Sequence, residues 1–338
     1  MPEVSFGNLA VAAAAMVFSG SAFAVDRLVP QQFQTIQAAI DASANGDVVQ
    51  VSPGNYNGPV DLRGKAITLR GTGDPSATVV SGGNSVVKCS SGEGASTVVE
   101  NLTLTEGSAP QGGGLQIRAS SPLIRNCHII NNYAELGAGV FCEGGAPRLE
   151  GCLIAANVAS AQYAYGGGVY LSATSALLVN CRITGNRISV SVGNSCGGGA
   201  GAGLYATGTG ALRIEGCTVI SNQTSISAST ACNQNEGAGI YIGAPNTSVT
   251  GCTIRENVNS GVGGSVSGAV FANNLVRVRD SKFCGNSGSQ LFGAFINLGG
   301  NVISATCPST CPGDLNSDGF IDGEDLARLL SNWGPCTN

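Results

Sequence analysis

Gly137-Ala138-Gly139-Val140-Phe141, followed after a short interval by Gly151-Cys152-Leu153-Ile154-Ala155-Ala156-Asn157, is built of two patterns that alternate along the chain. The first pattern is three small residues, an aliphatic and an aromatic. It returns as Gly166 to Tyr170, Gly201 to Tyr205, Gly237 to Tyr241 and Ser267 to Phe271, with a looser form from Gly112 to Gln116. The second returns around Cys127, Cys181, Cys217 and Cys252, with Ser281 in the last copy and Leu102 in an early one. Successive cysteines of the second pattern are 25, 29, 36 and 35 residues apart, whereas the aliphatic of the first precedes its cysteine by 12 or 13. A constant interval beside a variable one describes a fixed strand pair with insertions between the asparagine and the next glycine. Units this short and glycine-rich bury no face alone, so they stack and bring like positions into columns. The expected fold is an all-β parallel β-helix.

Period-two alternation turns Val140 and Cys142, Val169 and Leu171, Leu204 and Ala206, and Ile240 and Ile242 inward. Cys127, Cys152, Cys181, Cys217 and Cys252 then form an interior column, read as buried thiols because no histidine set accompanies them. Asn132, Asn157, Asn186, Asn222, Asn257 and Asn286 end the second pattern. They are expected to form a turn ladder that exchanges amide hydrogen bonds from coil to coil.

These motifs, with Phe283-Cys284-Gly285-Asn286 as one literal copy, resemble the right-handed parallel β-helix repeats of pectate-lyase-like proteins and of polymorphic outer-membrane proteins. The segment from Phe33 to Asp41, with Gly46, Asp47 and Pro53 to Tyr56, is similar to the N-terminal cap of that superfamily. Phe33, Ile36 and Ile40 share one helical face suited to closing the first coil. The resemblance spans about residues 30–304 and implies a fold without implying an activity, since this fold hosts lyases, hydrolases, esterases and adhesins.

Catalysis on acidic polysaccharide needs clustered carboxylates and a nearby base. No aspartate lies between Asp74 and Asp280, and the glutamates there read as singly scattered. The chain has three lysines and one histidine, His128, expected outward on a strand, where a lone histidine is more often solvated than catalytic. The motifs of polygalacturonases, pectin methylesterases and the main pectate lyases are missing. A row of aromatics, Phe141, Tyr170, Tyr205, Tyr241 and Phe271, continued by Phe295, is expected to face outward. It reads either as a platform for sugar rings or as a structural ladder covered by loops. The longest insertions, Arg187 to Ala200 and Gln223 to Glu236, are expected as loops on one side of the helix, where solenoids place binding surfaces. Tyr163, Tyr165, Arg187 and Glu236 are the candidate ligand contacts there. Cys196 and Cys232 occupy equivalent positions on adjacent coils and are expected to form a disulfide.

After Cys307 the composition changes. Asp314, Asn316, Asp318, the Phe320 carbonyl, Asp322 and Asp325 stand at positions one, three, five, seven, nine and twelve of a loop with Gly319 at six, a pattern suited to calcium. Aspartate at position twelve resembles dockerins, although those usually carry two loops and this chain has one. The resemblance implies anchoring to a surface or to a cohesin-like partner. Leu326, Leu329, Leu330 and Trp333 share one side of the following helix. A Cys311–Cys336 bond would stabilise so small a unit by about 3 kcal/mol.

Net charge is −5, with sixteen basic residues and no basic run, which excludes a nucleic-acid partner. An apolar run from Leu9 to Phe18 leads into Ala22-Phe23-Ala24, an export-signal cleavage site before Val25, without a basic residue preceding it. No other stretch has the length of a membrane span. Thirteen cysteines are compatible with an oxidising compartment and leave at least one unpaired within the chain. The expected organisation is an export signal over 1–24, a cap and first strand over 25–58, the β-helix over 59–304, a linker over 305–312 and a dockerin-like module over 313–338. The expected role is a secreted, non-catalytic surface or carbohydrate-interaction protein. A polysaccharide lyase or hydrolase and a purely structural envelope protein are the alternatives.

Overall fold

The computed structural model describes residues 24–191, 193, 195–227, 234–261, 267–307, 315 and 323–331. Residues 1–23 of the expected export signal, Cys232, Cys311, Cys336, Trp333 and the expected calcium ligands Asp314, Asn316, Asp318, Phe320 and Asp322 lie outside them.

The described strands pair in parallel into sheets of eighteen, ten, five and three strands. Register keeps like repeat positions together: Val140, Val169, Leu204, Ile240 and Val270 are successive partners in the first sheet. Each coil contributes to that sheet the strand of the first pattern, such as Val169–Ser172, and a short strand before the cysteine, such as Leu177–Val179. The strand after the cysteine, such as Arg182–Thr184, belongs to the second sheet. The cysteine therefore marks a corner, and its side chain enters the core.

Cys127, Cys152, Cys181, Cys217 and Cys252 are free thiols, each at most 1% exposed. The Sγ–H groups of Cys127, Cys152, Cys181 and Cys252 reach carbonyls of the preceding coil, as from Cys152 to Ile124 at 3.6 Å, while that of Cys217 reaches Glu215 O in its own coil. Burial pushes the Cys127 thiol up to about 12, so it packs as a small apolar group and not as a nucleophile. At the opposite corner the asparagine ladder runs unbroken. Each Nδ2 donates to the next Oδ1, from Asn132 through Asn157, Asn186, Asn222 and Asn257 to Asn286, at 2.8–3.0 Å. Gln290 ends it, accepting from Asn286 at 2.6 Å. This ladder explains the small residues of the first pattern. A Cβ at Gly168 would stand 2.9 Å from Asn186 Nδ2 and 2.6 Å from the Gly203 carbonyl.

The helix Ile36–Ala42 follows the first strand, Asp26–Val29. The Thr35 hydroxyl accepts from the Ala38 N–H at 3.1 Å, and Ile36, Ala39 and Ile40 enter the main core. The long insertions differ from the loops expected of them. Arg187–Ser191 and Gln223–Ser227 extend the third sheet, while Gly198–Ala200 and Gln234–Glu236 join Tyr163–Tyr165 in the fourth. The reason is a second small core, with Ala159, Ala164, Ile188, Val190, Ala202 and Ile226 among its buried residues, that gives these strands an inner face to bury. Cys284 and Cys307 form a disulfide that the spacing of the cysteines does not reveal. Among the described residues no helix is long and apolar enough to cross a membrane.

Candidate functional site

The aromatic row is a continuous stack on the outer face of the first sheet. Phe141, Tyr170, Tyr205, Tyr241 and Phe271 follow one another with ring centroids 4.7–5.4 Å apart and planes within 11° of parallel. The next ring is Phe292, at 5.3 Å from Phe271, and not the expected Phe295. Phe295 pairs with Val276 and packs against the core, because the strand Ser267–Arg279 carries irregularities that shift the register. In-register parallel strands hold identical side chains one strand spacing apart, so the rings cover each other's faces. Phe141 is only 2% exposed, with the Arg118 guanidinium 4.9 Å over its ring, which removes it from the candidate ligand contacts. A sugar platform needs an open ring face. What the stack offers solvent is ring edges and the hydroxyls of Tyr170, Tyr205 and Tyr241.

Those edges meet the fourth sheet at one place. Tyr165, Ala200 and Glu236 are successive register partners, so the Ala200 methyl, only 3% exposed, separates a phenol from a carboxyl two coils away. The Tyr165 ring leans onto Tyr205, 4.8 Å between centroids at 38°. Burial pushes the Tyr205 hydroxyl well above its usual range, with Tyr241, Tyr165 and Tyr170 adding to the effect. Burial also raises the Glu236 carboxyl above the usual carboxylate range. No hydrogen bond or ion pair engages that carboxyl among the described residues.

Tyr163, 47% exposed, stands two residues before Tyr165 on the same outer face. One coil earlier a depression of ≈ 220 Å³ is bounded by Pro110, Tyr133, Glu135, Val158 and Ser160, and the Tyr165 N–H donates to the Glu135 carbonyl at 3.2 Å. Tyr165 thus borders the depression. Arg187 stands exposed on the third sheet between Val158, which bounds the depression, and Gln223. Tyr133 was not among the sequence candidates. Its signal is its place immediately after the ladder residue Asn132, where the third sheet begins.

The glutamates are not scattered. Register assembles Arg70, Glu100, Arg125 and Glu150 into one outward column, extended by Val179 and Glu215. The sequence signal is the residue two places before each second-pattern cysteine, or before Leu102. Burial opposes ionisation of Glu100, but hydrogen bonds from Arg125 and Arg70 and the two positive charges prevail and hold its carboxyl below the usual range. Glu150 pairs with Arg148, and Glu143 with Arg118. A carboxylate locked between arginines is a poor proton donor at neutral pH, so Glu100 braces the sheet and does not supply an acid. His128 is half-buried on the second sheet between Thr103 and Leu153, and not on the fourth sheet that carries Glu236.

Of the residues expected to bind calcium, Asp325 is described: 2% exposed, its Oδ1 accepts the Leu315 N–H at 2.7 Å. Cys196 is disulfide-bonded, while its expected partner Cys232 lies outside the described residues.

Among solved structures, ORF18 of Geobacillus virus E2 is similar at 14% identity over 83% of this chain and 60% of that one, with a TM-score of 0.50. Pectin methylesterases from carrot (12% identity, 83% of this chain and 87% of that one, TM-score 0.43) and rice weevil (11%, 66% and 76%, TM-score 0.41) are also similar. At such identities the likeness is one of fold alone. No curated protein matches the chain. The family model described as the right-handed β-helix region matches residues 68–307, most of the coils set out above. The chain belongs to the right-handed β-helix family.

Proposed function

We propose that this β-helix is an extracellular, non-catalytic protein that binds neutral polysaccharide along the ridge of its fourth sheet. Glu236 is the observation that carries the reading. A half-buried carboxyl without a partner is costly unless a ligand supplies donors, and sugar hydroxyls are such donors. The Tyr165, Tyr205 and Tyr241 hydroxyls and the exposed Tyr163 and Tyr133 rings are the amphipathic surroundings a sugar needs. The Tyr165, Ala200 and Glu236 column carries no basic side chain, which favours neutral sugars over uronates. Binding is preferred to hydrolysis because Ala200 and Tyr165, and no second carboxyl, precede Glu236 in its column. The test is a glycan array with isothermal titration on the hits. Neutral glycans should bind, and Glu236→Ala or Tyr165→Ala should weaken them at least tenfold. Absence of neutral-glycan binding, or binding indifferent to both substitutions, overturns the reading.

The same proposal has the protein exported by its N-terminal segment and held at a surface by a calcium-binding, dockerin-like module. Support comes from the six-position ligand pattern and from Asp325, whose bond to Leu315 brings the twelfth position back to the start of the loop. Deleting residues 313–338 should release the protein from the cell surface. Unchanged retention refutes the anchor while leaving the glycan site standing.

A further inference from the structure

Arg255 occupies an outward position of the second sheet, in register between Ile220 and Cys284, yet it is 4% exposed. Its Nη1 donates to Glu256 Oε1 at 3.0 Å. Nε and Nη2 are buried and have no hydrogen-bond partner among the described residues. These two N–H groups share the guanidinium edge that receives a carboxylate in two parallel bonds. Arginine does not escape burial by losing its proton, so that edge requires an oxyanion.

The surroundings indicate where the oxyanion comes from. Cys284, next to Arg255 in register, is bonded to Cys307, so the chain leaves the β-helix beside this guanidinium. Glu324, in the helix Gly323–Ser331, lies 4.0 Å from Arg182 on the same sheet. Strands Thr218–Ile220 and Thr253–Arg255 lie between those two tether points. On them Thr218 and Ile220, although outward in register, are 7% and 5% exposed. The sequence between the tethers, residues 308–323, contains Asp314, Asp318 and Asp322 and no lysine or arginine. We propose that Arg255 is the receptor for a carboxylate of this acidic segment, making the outer face of the second sheet the docking surface of the chain's own C-terminal module. The proposal is independent of the glycan reading.

The test uses the full oxidised chain with calcium chelated throughout, so that metal binding does not enter. Hydrogen exchange of the Gly323–Ser331 amides reports docking, with protease cleavage between 308 and 323 as a second readout. Arg255→Gln should accelerate both at least tenfold. One of Asp314→Asn, Asp318→Asn and Asp322→Asn should do the same, and its double variant with R255Q should be no faster than R255Q alone. If R255Q unfolds the last coils, seen by circular dichroism, the aspartate variants decide, since they lie off the β-helix. Wild-type rates in all three aspartate variants overturn the proposal, as does full additivity in the double variant. Inorganic phosphate and acetate are the control for a solute ligand. They should leave the melting midpoint unchanged, and an Arg255-dependent rise means the edge is open to solvent and overturns the internal docking.

Discussion

Asn186 shows how much a single polar residue decides in this fold. It is fully buried, its Nδ2 donates to Ile154 O at 2.9 Å and to Asn222 Oδ1 at 3.0 Å, and its Oδ1 accepts from the Asn157 N–H at 3.1 Å and Asn157 Nδ2 at 2.9 Å. Asn186→Ala removes these bonds and leaves neighbouring buried donors without acceptors, a loss expected to be about 2–4 kcal/mol. Urea unfolding measures it, and a loss under 1 kcal/mol would show that the ladder is dispensable. Tyr205→Phe, which keeps the stacked ring, should change stability by less than about 0.5 kcal/mol in the same assay. Glu236 makes the opposite kind of statement. Its folded pKa is raised from 4.5, so the native state holds the proton longer than the unfolded chain does, and its contribution to stability falls as pH rises through that window. Glu236→Gln should therefore be more stable than wild type at neutral pH, with the difference vanishing below about pH 4. Wild-type stability at neutral pH in this variant would mean that the carboxyl is not strained by burial.

At the level of strands and columns, what is legible in the chain divides according to how local the signal is. The interior thiols, the asparagine ladder and the order of the aromatic stack follow from positions counted within one coil, and all were readable. Failures occur where register has to be carried between coils of unequal length. Glu100, Arg125 and Glu150 look unrelated in sequence, yet they share one column because each lies two residues before its corner. Phe292 displaced Phe295 because a long irregular strand broke the count. The inserted segments read as loops because their strands bury alanine and isoleucine in a satellite core too small to show clear alternation. The Glu100 column carries a prediction opposite in sign to that of Glu236. With its folded pKa held below 4.5, Glu100 stabilises the coils above the unfolded value, and this is lost as pH falls through the folded one. Glu100→Gln should thus lower the melting midpoint at pH 7 and converge on wild type in acid. A deficit that persists unchanged at low pH would assign the role to packing instead of charge.

For the whole molecule, each coil touches its neighbours, so stability is a sum over interfaces and unfolding can start at either end. The two ends differ. At the first coil Ile36, Ala39 and Ile40 of the helix Ile36–Ala42 are buried in the main core. At the last described coil Leu298, Val302 and Ile303 are 45%, 48% and 53% exposed, although Ile303 pairs with the fully buried Phe283. Fraying should therefore begin at this end, and the Cys284–Cys307 disulfide opposes it by closing a loop of sequence separation 23 around the final strands. Cys307→Ser removes that constraint, worth about 3 kcal/mol by loop entropy. Its effect should be local. Exchange should speed up in Lys282–Cys284 and Val302–Ser304 while Val140–Glu143 and Arg182–Thr184 keep wild-type protection, and the unfolding curve should gain an early step. Uniform acceleration through all coils, with one unfolding step retained, would mean that the β-helix unfolds as a single cooperative block whose ends share the stability of its middle.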